Sequence, residues 1–329
     1  MLSAYDFGVD YRRHDRSNAI TMPPMFSNFF AKLSHPFRAH PQVAAIGYIL
    51  ISTTAFSAMS AGVREISGEL HATLIVTLRN FFTLLLLVPW ALSNHATGIR
   101  TERIWAHARR GCVGAVGMIG WTYCLTIMPL AHATALSFTA PLFTTLFAIL
   151  VLREHADWHR WLALFVGFAG TLVIIQPSAE GFDWSALLVM VTTSLWAITG
   201  LFVKSLSRTE PAMRMVFYMN LFMFMMALPF GLYHWQWPSM HATFILFLVA
   251  CSSIIMHFSM ARAYSLAPVV SLMPFDFTRL VSTTLFAYFL FSEQPDPTSW
   301  IGAAIIIAAA IYIARRDVKA PPPEGLGQI

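Results

Sequence analysis

Two stretches decide the reading of this chain: Pro129–Trp161, PLAHATALSFTAPLFTTLFAILVLREHADWHRW, and Pro268–Trp300, PVVSLMPFDFTRLVSTTLFAYFLFSEQPDPTSW. They align without gaps at a spacing of 139 residues, and 11 of 33 positions are identical. The identities include Pro129/Pro268, Phe138/Phe277, Glu154/Glu293, Asp157/Asp296 and Trp161/Trp300, around a Thr-Thr-Leu-Phe-Ala run at 144–148 and 283–287. The same shift pairs Thr53-Thr54 with Thr192-Thr193 and Cys112 with Cys251. A slip of one residue then pairs Asn80 with Asn220 and Pro89 with Pro229. The chain is an internal duplication.

Composition says where such a duplication can fold. Of 329 residues, 57% are hydrophobic and 11% charged, against about 45–50% and about 25% in soluble domains. So few charges cannot cover an aqueous surface. An ordinary soluble enzyme, a disordered chain and a nucleic-acid binder are excluded, despite a net charge of +5 and a pI near 9.3. The apolar runs are continuous rather than alternating, so helices and not a barrel are expected in lipid. At ~20 residues per crossing the runs predict an all-α membrane protein of ten transmembrane helices. In the first half these are Val43–Gly62, His71–Leu92, Gly111–Met128, Ala131–Leu152 and Trp158–Ile175. In the second they are Trp184–Val203, Ala212–Leu232, Ala242–Ala261, Val269–Phe291 and Ser299–Ile313. The expected organisation is a flexible cytoplasmic tail over 1–40, repeats over 41–178 and 179–316, and a cytoplasmic tail over 317–329.

Basic residues orient the bundle, because lysine and arginine collect on the cytoplasmic side. With the N-terminus cytoplasmic, 18 of 21 fall on that side, Arg64 alone on the other, and Arg79 and Arg279 within spans. Both termini are then cytoplasmic. Each half holds five spans, an odd number, so the second half is inverted relative to the first. Inverted repeats are the architecture of alternating-access carriers with a midplane site.

Pro129–Pro141, the Thr-Thr-Leu-Phe-Ala run, Glu154 closing the fourth span, and Trp161 with Gly167 and Gly170 resemble the drug/metabolite transporter superfamily, specifically its EamA-type ten-helix carriers. The second half repeats the pattern in Ala267-Pro268, Glu293 and Trp300-Ile-Gly302, and Arg79 matches the family's single arginine in the second span. The likeness covers about 41–316. Ala308–Ala310 depart from it, standing where late glycines are expected, and Asp276 maps to no family motif. The resemblance implies a secondary transporter of a small organic metabolite or drug, ion- or proton-coupled or an exchanger, in the cytoplasmic membrane. Amino acids, nucleotide derivatives, vitamins and drugs are all carried within the superfamily, and importers of S-adenosylmethionine or riboflavin belong to it. No cofactor or metal is expected. The expected partners are the substrate and the bilayer, with a homodimer compatible and nucleic acid not.

Ions inside a bilayer mark either a self-satisfied pair or a substrate path. Arg79, Asp276 and Arg279 are the three here, and the last two share a helix face at a spacing of three. One reading is an internal ion pair that orders the ninth span; the other is a cavity for a zwitterionic or anionic substrate. Trp121, Tyr123, Trp196 and Tyr264 are candidates to wall that cavity, with interface anchoring as the alternative. Glu154 and Glu293 each close a helix, where the dipole disfavours a carboxylate. The compensation expected for Glu293 is the start of the tenth span at Asp296, Thr298 and Ser299. Pro129, Pro268 and Pro141 complete the repeated structural motif, and Pro274 precedes Asp276. Gly111, Gly114, Gly117 and Gly120 form a small-residue stripe for close helix contact. The six methionines between Met213 and Met226 read as lipid-facing filler. A polytopic lipid-modifying enzyme would need paired acids at one interface, and the pairs present, Glu65/Glu69 and Glu154/Asp157, lack the aspartate-rich spacing; a scaffold would not need inverted halves.

Overall fold

A computed structural model of the chain describes residues 41–93, 99–140, 142–143, 146–147, 158–175, 184–207, 209–267, 272, 275–276, 278–293 and 297–319. Among them all regular structure is helical. We number the helices α1 (Pro41–Ile66), α2 (Ala72–Ser93), α3 (Ile104–Ile127), α4 (Leu130–Ser137), α5 (Trp158–Ile175), α6 (Trp184–Leu206), α7 (Ala212–Tyr233), α8 (Met240–Leu266), α9 (Thr278–Phe291) and α10 (Pro297–Lys319). Among the described residues, α1, α2, α6, α7 and α8 are long and apolar enough to cross a membrane. Glu154, Pro141, Pro268, Pro274 and residues 1–40 and 320–329 lie outside the described residues.

Pro129 and Pro211 precede α4 and α7, where a missing N–H removes no helical bond. Ser239 opens α8 by accepting the Ala242 N–H on its hydroxyl at 3.0 Å. Pro89 and Pro229 sit near the ends of α2 and α7, the equivalent helices of the two halves.

The helices pair by a pseudo-two-fold rule. Helix α1 packs on α8 and, equivalently, α6 on α3. The remaining equivalent helices pack on each other, α2 on α7 and α5 on α10. Phe81 meets Phe224, Trp90 meets Phe217, and a Cβ on Gly231 would lie 2.3 Å from Thr77 Oγ1. The chains of α2 and α7 therefore run antiparallel, as inverted copies must. Asn80 and Asn220 make the same bond, each donating from Nδ2 to the carbonyl four residues back at 2.8 Å.

Two sequence readings are corrected. Arg110, counted with the cytoplasmic charges, is 1% exposed inside α3 and donates to the Met215 carbonyl at 3.1 Å. Of the methionines on α7, Met213, Met215, Met219 and Met223 are buried and only Met225 and Met226 face outward. They share one helical stripe with Val216 and Asn220, so they pack the bundle rather than fill its lipid side.

Candidate functional site

At the centre of the bundle α1 brings Phe56 against two tryptophans from different halves. Its ring centroid lies 5.8 Å from Trp121 on α3 and 5.6 Å, edge-on, from Trp196 on α6. The two indoles are themselves 4.9 Å apart. The glycine stripe of α3 makes the approach possible: a Cβ on Gly117 would lie 3.1 Å from Trp196 Cδ1, and one on Gly120 2.4 Å from Thr192 Cγ2. Trp121 Nε1 is buried with no hydrogen-bond partner.

A charged pair caps this aromatic cluster. The Arg279 guanidinium stands 4.9 Å from the centroids of both Phe56 and Phe138, a cation–π contact on two rings. It faces Asp276 at 3.5 Å, an ion pair too open for a hydrogen bond, and its Nε and Nη2 keep no hydrogen-bond partner. The Asp276 side chain is 30% exposed and Arg279 only 10%, so the aspartate looks outward from the pair. Tyr264 on α8 lies within electrostatic reach of both. The strand of hydroxyls on α1 fixes α9 in place: Ser57 bonds Thr283 at 2.8 Å and Thr53 bonds Thr278 at 3.0 Å. The result is a packed aromatic cluster, its rings inclined to one another by 44–89°, beside an anion and a cation.

The structure thus gathers Trp121, Trp196, Asp276 and Arg279, while Tyr264 packs with Phe275 in a separate apolar cluster. Two further candidates lie elsewhere. Tyr123, two residues from Trp121 and so about 200° around the helix, is 47% exposed on the outside of the bundle. Arg79 on α2 is 1% exposed and makes its bonds elsewhere, with Nη1 3.3 Å from Met59 Sδ and Nη2 3.1 Å from Asn80 Oδ1. Phe56 was not singled out from sequence. Phe138 was visible there only as an identity of the repeat.

One end of the bundle is closed by a latch. Helix α9 terminates with Ser292 at φ 54, its N–H bonding the Tyr288 carbonyl while the Glu293 N–H reaches Ala287. This Schellman-type turn swings Glu293 toward α4, where Oε2 accepts the Leu130 N–H at 2.8 Å. Leu130 is the first helical residue, with a donor no intrahelical carbonyl can satisfy. The start of α4 therefore compensates the dipole at Glu293, where the sequence suggested the start of α10. Arg64, in the last turn of α1, faces Glu293 Oε1 at 3.5 Å and donates to the Leu125 carbonyl near the end of α3. Four segments meet at these two side chains.

The opposite end carries a related contact. Lys204 Nζ donates to the Tyr264 carbonyl at 3.2 Å, and Tyr264 is Leu125 shifted by 139 residues, Lys204 Arg64 shifted by 140. Nearby, Glu210 accepts from Thr101 at 2.6 Å and Arg214 at 2.8 Å, tying the α2–α3 and α6–α7 connections together.

Comparison with known proteins agrees with this architecture. The pattern of the EamA-like transporter family matches residues 43–176 and again 183–315. An S-adenosylmethionine uptake transporter of Rickettsia felis is 31% identical over 278 residues, covering 84% of this chain and 95% of that one. A riboflavin transporter of Brucella anthropi is 31% identical over 245 residues, 71% of this chain and 84% of that one, and one of Vibrio cholerae is 28% identical over 85% and 95%. A solved crystal structure shares the fold with a TM-score of 0.57 at 18% identity, over 86% of this chain and all of that one. The chain is a multi-pass membrane protein that belongs to the EamA-like transporter family.

Proposed function

We propose that the protein is a secondary carrier that takes up a zwitterionic metabolite bearing a planar ring, of the S-adenosylmethionine kind, across the cytoplasmic membrane. The observation that carries this reading is the Phe56–Trp121–Trp196 cluster capped by the Asp276–Arg279 pair. The adenine ring stacks on Trp196, the partly exposed indole of the pair, a contact of about 1–3 kcal/mol per base. The carboxylate of the amino-acid group goes to the free Nε and Nη2 of Arg279, and the cationic groups to Asp276, whose pairing with Arg279 at 3.5 Å leaves room for a competing donor. Riboflavin fits the aromatic cluster but has no zwitterion for the charged pair, which makes it the weaker reading.

Transport proceeds by alternating access, the two inverted halves rocking about this site. With both termini cytoplasmic, the Arg64–Glu293 latch closes the outer face, and the Lys204 contact lies at the inner one. The test is uptake of labelled S-adenosylmethionine and of riboflavin by purified protein in liposomes, with and without a proton gradient. S-adenosylmethionine uptake is expected, reduced at least tenfold in kcat/KM by Asp276→Asn and by Trp196→Ala. Riboflavin uptake insensitive to Asp276→Asn would overturn the assignment of the charged pair. No flux of either compound through correctly inserted protein would overturn the substrate class.

A further inference from the structure

The gap between Asp276 and Arg279 has no cause in their own segment of chain. At a spacing of three the two side chains can meet, and an unhindered guanidinium and carboxylate close to about 2.7–2.9 Å. Here they stand 3.5 Å apart, and the Arg279 Nε and Nη2 are buried without a hydrogen-bond partner. The Ser57 hydroxyl lies 3.3 Å from the Arg279 carbonyl oxygen, which fixes the backbone on α1 and leaves the side chain to set the gap. What the guanidinium touches instead is aromatic. Its carbon is 4.9 Å from the ring centroids of Phe56 and of Phe138, inside the range of about 6 Å over which a ring quadrupole attracts a cation.

The Phe138 ring is held where it is. It is fully buried at the C-terminal end of α4, and its N–H bonds the Ala135 and Leu136 carbonyls. The other end of α4 is gripped by the chain leaving α9, through Glu293 and the Leu130 N–H at 2.8 Å. Helix α9 thus holds α4 at two points eight residues apart, about 12 Å along its axis: Glu293 past one end of α9, and Arg279 near the other. Phe56 also packs on Trp121 and Trp196, so Phe138 is the ring on which the contact with the cation can be tested by itself. We propose that Phe138 is the positioning residue of the charged pair, an assignment that rests on the zwitterionic substrate class proposed above. With Phe56 it holds the Arg279 guanidinium off Asp276 and keeps both ions open to the guest. When the ring's pull is weakened, Arg279 closes on Asp276, and the substrate must break a tight ion pair to bind.

The experiment replaces Phe138 by phenylalanines carrying one, two and three ring fluorines, introduced by nonsense suppression into the full-length protein. Fluorine drains the negative face of the ring and changes its size little. In liposomes the KM for S-adenosylmethionine should rise with each fluorine, to about tenfold at three. The kcat should stay unchanged, because binding is lost equally in the ground and transition states. Methylthioadenosine, which keeps the adenine ring and lacks the amino-acid group, should inhibit with an unchanged constant. In detergent without substrate, Tm should fall with fluorination relative to the same series in Arg279→Gln, where no cation faces the ring. A flat KM series, or a parallel loss for methylthioadenosine, overturns the positioning role. Identical Tm series in the two backgrounds overturn the ring–cation hold; where Arg279→Gln does not yield folded protein, the KM series decides. A wild type that takes up no S-adenosylmethionine overturns the substrate class instead, and the Tm series then decides whether Phe138 holds Arg279.

Discussion

Replacing Glu293 by glutamine tests the latch at its most connected atom pair. The carboxylate accepts the Leu130 N–H at 2.8 Å and faces Arg64 at 3.5 Å, with side chains 17% and 26% exposed. A hydrogen bond to a charged group contributes about 1.5–3 kcal/mol against about 1 for a neutral one. The amide, which can still accept, therefore loses about 1 kcal/mol there. The partly exposed ion pair adds about 0.5–1 kcal/mol. Opening of this end becomes easier by about 1.5–2 kcal/mol, or about 10–30-fold in the equilibrium constant. The reporter is Thr122→Cys in a background lacking Cys112, Cys124 and Cys251. Thr122 is fully buried, one helical turn below Thr126, which lines the depression outside the latch. Labelling by a membrane-impermeant maleimide applied from the Arg64 face should accelerate by that factor in Glu293→Gln. A Thr126→Cys reporter, outside the latch, should label equally in both. An unchanged rate at Thr122 would refute the idea that these two side chains hold the end shut.

Three other outcomes follow from local geometry. Gly117→Ala places a methyl 3.1 Å from Trp196 Cδ1 and 3.4 Å from Leu195 Cβ, so overpacking of about 1–3 kcal/mol should lower Tm and substrate affinity together. Glu210→Gln weakens the bonds accepted from Thr101 and Arg214 and should lower Tm, with a loss of about 1–2 kcal/mol as a charged acceptor becomes neutral. His71 stacks on His234 with ring centroids 3.7 Å apart; burial first, then the charge of His234, hold its pKa below 6.5. The folded state thus binds this proton less readily than the unfolded chain. The stability His71 contributes is present above its unfolded pKa near 6.5 and is lost as pH falls below it toward the folded value. Between about pH 7.5 and about pH 5, Tm should drop more in the wild type than in His71→Gln; parallel profiles would refute the linkage.

The parts of this molecule legible from sequence are those that repeat or recur with a period. The 139-residue register predicts that equivalent helices have equivalent partners, and α1 on α8 with α6 on α3 obeys it. The burial of Arg110 was also written in the sequence, in a pattern that hydropathy does not weigh. His107, Arg110, Gly111, Gly114, Met118 and Trp121 form one helical stripe, and all are buried. A span boundary drawn at the first apolar run cut that stripe and turned its arginine into a loop charge. What no periodicity can supply is contact across the bundle. Phe56 matters because Trp121 and Trp196 converge on it from 65 and 140 residues away, and Glu293 finds its helix N-terminus 163 residues upstream.

The repeat also bears on how the latch works. Arg64 donating to the Leu125 carbonyl and Lys204 donating to the Tyr264 carbonyl are the same contact written twice, at opposite ends. Each joins the C-terminal end of the first helix of one half to the C-terminal end of that half's third helix. A cation there is favoured by both dipoles, which explains why the basic residue persists in both copies although the flanking sequence does not. Both contacts lie within a half rather than between halves, so they brace each half and do not by themselves join the two. Glu293 is different: it joins Arg64 of the first half to α9 of the second and also caps α4. Closure therefore resides in the carboxylate and rigidity in the cation. Arg64→Lys, which keeps the charge, should leave maleimide access to a cysteine at Thr122 near the wild-type rate, whereas Glu293→Gln raises it. Equal opening by both substitutions would show that the two roles are one.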